Sequence, residues 1–252
     1  MPAKFANYNF SRILIKMASL TATGLFVFTL PFVFIAAHSI KEYLKDRDSN
    51  KKKHLCYAFV IITTSFIVDL IGALMISPVM EPTTCFIVKT LLKSFDFINM
   101  IAVFWFFIFL TDFIDDMKRY IPFVAFHLLL TLAVIAVMPF DVVIFEGNEF
   151  IEDRHIITIA AIFIFWFLYW SIIAYQFWDL SKFMTSKVAI TKSQMMSAAA
   201  VFAILAYLST IIAALSQIIT INFVGQVFAI ASGVFLYLGF VAPKRLQGWL
   251  EK

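Results

Sequence analysis

The chain has 252 residues, 62% of them apolar and 14% charged, with 31 Phe and a formal net charge of +4. A soluble domain of this length carries about 25% charge, because its surface must meet water. That class is excluded, and most of the surface has to meet lipid.

A helix crosses a hydrocarbon layer of roughly 30 Å with about 20 residues, so spans are expected where Asp, Glu, Lys and Arg are scarce over that length. In chain order these are 17–40, 55–77 with one charge (Asp69), 85–111 with three (Lys89, Lys93 and Asp96), 120–139 and 155–178. Residues 193–243 hold no charge over 51 positions, too many for one span. The polar step Thr220-Ile-Asn-Phe-Val-Gly225 is the expected break, giving spans 194–219 and 223–242. The reading is an all-α membrane protein, a seven-transmembrane helix bundle forming a single domain over 1–252.

Between the fourth and fifth spans, Asp141-Val-Val-Ile-Phe-Glu-Gly-Asn-Glu-Phe-Ile-Glu152 alternates imperfectly around Gly147-Asn148, a dipeptide that closes two-residue hairpins. A β-hairpin and an irregular acidic loop both fit. Asp141, Glu146, Glu149, Glu152 and Asp153 read most simply as the solvated edge of an outward loop.

Basic residues near helix ends stay in the cytoplasm. With seven spans, one side receives fourteen of the 20 Lys and Arg and the other side four (Lys4, Arg12, Lys16 and Arg154), while Lys89 and Lys93 lie within the third span. The N-terminus is therefore expected outside and the C-terminus in the cytoplasm. Cys56 and Cys85 open consecutive spans at opposite faces, so no disulfide is expected between them.

The third span carries the chemistry of interest. Lys89, Lys93 and Asp96 are spaced i, i+4, i+7, and Asn99 extends the stripe. Ionisable groups inside a span are costly in lipid, so this face should look into the bundle. A rise of about 1.5 Å per residue puts Lys93 and Asp69 at a similar depth, roughly 12 Å from the outer surface, and makes them candidate partners. Two readings stand: Asp69, Lys89, Lys93, Asp96 and Asn99 form the floor of an outward ligand pocket, or the charges form an internal clamp that fixes packing. Polar groups later in the chain, among them Tyr207, Thr210, Gln226 and Ser232, fit interhelical hydrogen bonding. Trp166, Tyr169, Trp170 and Tyr175 read as packing bulk.

Several activities lack their residues. Residues 223–241 contain no lysine for a retinal Schiff base, and no zinc-protease helix motif or Cys/His metal spacing occurs. Asp112-Phe-Ile-Asp-Asp116 looks like the Asp-rich motif of polyprenyl-diphosphate enzymes, but no second acidic motif accompanies it, so an interfacial charge cluster is the expectation. The reading is a non-enzyme without cofactor or metal. Of the seven prolines only Pro31 lies in the interior of a span, with Pro78, Pro82, Pro122, Pro139 and Pro243 at or near span ends, and no internal repeat is seen, which disfavours a transporter.

The end of the seventh span, Tyr237-Leu-Gly-Phe-Val-Ala-Pro-Lys-Arg-Leu246-Gln-Gly-Trp-Leu250, resembles the exit of the seven-transmembrane sensory region at the N-terminus of prokaryotic histidine kinases and related signalling receptors. The resemblance covers the seven-span layout and about ten residues locally. It implies a sensor in a prokaryotic plasma membrane whose basic stub leads to cytoplasmic output. No kinase, PAS or cyclase domain follows within the sequence, so the resemblance implies either a separate cytoplasmic signalling protein as partner or a chain that is only the membrane module. The expected function is thus a receptor-like sensor module. The alternatives are a non-catalytic structural or accessory subunit packed against other integral membrane subunits and, third, a transporter or channel. The lipid bilayer is the certain neighbour; no nucleic acid is expected, and a homo-oligomer stays open.

Overall fold

The computed structural model describes residues 20–77, 79–144, 150–216 and 218–241. Seven long α-helices account for most of them: α1 (Leu20–Lys45), α2 (Asn50–Leu74), α3 (Pro82–Thr111), α4 (Ile121–Val137), α5 (Ile156–Phe183), α6 (Lys187–Ser216) and α7 (Ile219–Val241). A 3-10 turn, Asp115–Tyr120, leads into α4. Seven helices are long and apolar enough to cross a membrane, making this a multi-pass integral membrane protein by length and composition. The ends have local causes. Ser49 caps α2 by accepting from the Lys52 amide, and Pro82 opens α3, where a missing N–H costs nothing.

One expected boundary is corrected. The chain breaks between Ser216 and Ile219, so Thr220 to Gly225 lie inside α7. Gly225 marks a close approach: a Cβ there would stand 3.1 Å from the Ala206 carbonyl oxygen and 3.2 Å from Ser209 Cβ on α6. In lipid, small residues serve to let helices touch, and this glycine does so.

The principal neighbours form a closed ring, α1–α2–α3–α5–α6–α7–α1, with α4 outside it against α3 and α5. Phe123, Phe126, Leu129 and Leu130 on α4 are accordingly exposed. Half of the ring interior is filled by aromatic side chains. Phe59 of α2 meets Phe106 of α3 and Phe240 of α7 edge-on, and Trp170 of α5 lies against Phe106. At that end His54 Nδ1 lies 2.8 Å from Asp112 Oδ2, joining the start of α2 to the end of α3.

Strands β1 (Phe140–Ile144) and β2 (Phe150–Arg154) form an antiparallel pair at the other end. Their register sets Ile144 opposite Phe150 and Val142 opposite Glu152. A two-residue turn at Gly147-Asn148 would set Ile144 opposite Ile151 instead, so the pairing is one residue out of step with that expectation; the dipeptide itself, with Glu146 and Glu149, lies outside the described residues. The register matters because a one-residue slip reverses every side chain. Also outside are Gln217, the basic residues before the first helix, and the basic stub after Val241 that carries most of the kinase-like resemblance.

Candidate functional site

Beneath the hairpin the bundle holds a partly open cavity of about 140 Å³. Its walls are mostly aromatic and aliphatic: Leu25, Phe28 and Phe32 from α1, Ile62 and Phe66 from α2, Phe95 from α3, and Trp166 and Trp170 from α5. Alanines and Gly225 of α6 and α7 leave the space open on the far side, and Phe150 and Ile151 close it from β2. Ile62, Phe66 and Asp69 share one face of α2 by their i, i+4, i+7 spacing, so the helix that supplies the apolar wall also delivers a carboxylate.

The polar groups converge on Arg154. Alternation along β2 puts Phe150, Glu152 and Arg154 on one face, and all three line the cavity. The Arg154 guanidinium donates from Nε to Asp96 Oδ2 at 2.8 Å and from Nη2 to Asp96 Oδ1 at 2.9 Å, and Nη2 also contacts Glu152 Oε2. The Arg154 and Asp96 side chains are 4% and 2% exposed, so the fork is fully desolvated. Its charge lies over the Phe140 ring, 5.7 Å from the centroid. Burial of Glu152 pushes its carboxyl up to about 7; Arg154 pulls against this and Asp96 adds to it.

Asp69 stands apart from that fork. It lines the cavity, is 6% exposed, and its Oδ1 is buried without a hydrogen-bond partner among the described residues; the same holds for Asn99 Oδ1. Tyr207, Thr210, Asn222, Gln226 and Ser232 complete the polar part of the wall. Ser232 donates to the Ala199 carbonyl and Thr210 to that of Ala206, so interhelical and local hydrogen bonding occupies part of this set. Trp166 donates from Nε1 to the Ala203 carbonyl at 3.0 Å.

Of the five residues singled out in the sequence, the structure brings Asp69, Asp96 and Asn99 together and sends the two lysines elsewhere. Lys93 donates from Nζ to the carbonyls of Ala136 and Met138 at 3.1 and 3.0 Å. The expected Asp69–Lys93 pair is therefore corrected: the ammonium serves the C-terminus of α4, where unsatisfied carbonyls and the helix dipole favour a cation. Lys89 meets Asp141 at 2.8 Å at the hairpin's base, and that bond holds the Asp141 carboxyl below its usual range. Neither lysine lines the cavity.

Glu152 and Arg154 were missed. Glu152 is a largely buried wall residue, its side chain 11% exposed, not part of a solvated acidic edge, and Arg154 is not a free loop charge. The alternation Phe150-Ile-Glu-Asp-Arg154 was the available signal, since it places these side chains on one face of any strand. In the Asp112–Asp116 segment, Asp112 is taken up by His54 and Asp115 by Lys118. Cys56 and Cys85 are free thiols.

No protein-family model and no curated protein matches this chain.

Proposed function

We propose that the protein is a receptor-like membrane sensor module, in which a ligand held in the hairpin-capped cavity alters the Arg154–Asp96 fork and α3 carries the change to the opposite, basic end. What carries this reading is the tie between one wall of the cavity and one helix: Arg154 faces the cavity and is gripped by Asp96 of α3. Helix α3 has no proline beyond its first turn, and its last turn leads to Asp112, bonded to His54 of α2. Asp96 and Asp112 lie about 24 Å apart along the axis at 1.5 Å per residue. A rigid element pinned by an ion pair near its middle and a hydrogen bond at its end is suited to pass displacement from one to the other.

The cytoplasmic face in this reading is the end that carries Lys41, Lys45, Arg47, Lys51, Lys52 and Lys53, together with Lys118, Arg119, Lys182, Lys187 and Lys192. The hairpin and its cavity then open outward, and a cytoplasmic signalling protein receives the output at the basic end.

The test is pulsed electron resonance on protein in lipid nanodiscs, with spin labels at Lys51 and Lys187 in a background lacking both cysteines. Opening the fork with Arg154→Gln should move the interlabel distance by about 1–2 Å or more, the scale of helix shifts in switching proteins. Superimposable distance distributions with and without the fork would overturn the reading.

A further inference from the structure

We infer that the cavity is built for a compact organic cation, an amine bearing an apolar or aromatic body, with Asp69 as its counter-ion. This rests on the sensor reading above and gives the chemistry of its ligand.

Charge supplies the first argument. Asp69, Asp96 and Glu152 place three carboxylates around the single guanidinium of Arg154. The Nε–Nη2 edge of Arg154 is taken up by Asp96 and Glu152, whose carboxylates already balance its charge. An anionic ligand would meet a guanidinium whose charge is already balanced, whereas a cation would meet a carboxylate that forms no ion pair among the described residues.

Hydrogen-bonding capacity points the same way. Asp69 Oδ1 and Asn99 Oδ1 are buried acceptors without donors, on two adjacent helices, and both residues border the cavity. A buried acceptor left unmet is costly, the more so when charged, so two of them on residues that border the cavity call for donors. An ammonium has up to three donors and no acceptor.

The wall fits the rest of such a ligand. Phe28 and Phe32 each pack edge-on against Phe66 with centroids 4.6 Å apart, and Phe95 lies 6.0 Å from Phe66. Phe66 is one helical turn from Asp69 on the same face. Ring faces beside a carboxylate are what recognition of organic ammonium groups uses. A volume of about 140 Å³ is close to that of an apolar cavity that accepts benzene, which limits the body to about one ring.

The experiment uses the full chain in detergent and three probes of one shape: benzylammonium, benzyl alcohol and benzoate. Thermal stabilisation and quenching of tryptophan fluorescence are followed for the native protein, Asp69→Asn, and Ala229→Phe, which fills the cavity. Saturable binding of benzylammonium, weakened at least tenfold by Asp69→Asn and abolished by Ala229→Phe, is the expected result. Preference for benzyl alcohol or benzoate, still lost in Ala229→Phe, overturns the cation and leaves the cavity as a ligand site. Indifference of all three probes to Ala229→Phe overturns both the cation and the sensor reading. Should Asp69→Asn fail to fold, Phe66→Leu replaces it. That change removes the ring face, and it should weaken benzylammonium more than benzyl alcohol; equal losses would sink the proposal.

Discussion

Arg154 and Asp96 are 58 residues apart in sequence and meet through two parallel hydrogen bonds of 2.8 and 2.9 Å inside the bundle. The contact fastens a β-strand lying outside the spans to the middle of a membrane-spanning helix. Everything above the aromatic half of the ring is organised by it, since the same arginine also holds Glu152 and borders the cavity.

Removing one partner of that fork leaves a buried charge uncompensated. Asp96→Ala should destabilise the bundle by about 3–5 kcal/mol. The double change Asp96→Leu with Arg154→Met should cost far less than the two single changes summed. Thermal unfolding in detergent checks this, and additive losses would show the fork to be energetically idle.

Glu152 gives the bundle a pH dependence. Its carboxyl is raised from 4.5 to about 7 by burial, so between those values the folded state holds a proton that the unfolded state has released. Stability from this group is therefore full below about pH 4.5 and is lost as pH rises towards 7, by about 3 kcal/mol at most. The melting temperature of the native protein should fall across that window. Glu152→Gln, which keeps the shape and cannot ionise, should flatten the curve there. An unchanged slope in the variant would assign the pH dependence to other groups.

Lys93 acts on backbone carbonyls, not on Asp69. Lys93→Ala should lose about 1.5–3 kcal/mol, the worth of hydrogen bonds to a charged group. Hydrogen exchange should rise at the C-terminal turn of α4, near Ala136 and Met138. The swap of Asp69→Lys with Lys93→Asp should recover nothing; any rescue would restore the pairing that their similar depth suggested.

Gly225→Leu should cost about 1–3 kcal/mol by overpacking, because the atom in the way is the Ala206 carbonyl oxygen, which cannot rotate aside. The same change intrudes on the cavity wall, so it should block benzylammonium as Ala229→Phe does. Full binding by a folded Gly225→Leu protein would contradict the placement of that wall.

The spans were readable because lipid imposes one rule on every residue it touches: charge is excluded over the length of a crossing. Asp69, Asp96 and Asn99 stood out by breaking that rule. Gly225 was read as a chain break because in water a glycine beside polar residues signals a turn, whereas between membrane helices it signals contact. The partner of Lys93 was illegible for a different reason. It is a pair of main-chain carbonyls, and no pattern of side chains announces those. Arg154 and Glu152 were hidden because residues between spans are counted as surface, and only the strand register turns them inward.

That register makes the frame of β2 part of the site. A one-residue change of register along β2 would leave the strand's composition unchanged, yet turn Glu152 and Arg154 away from the cavity face they now share with Phe150. The chemistry of this site is thus written in the parity of five residues, and a shift of a single position would dismantle it while the seven helices stood intact.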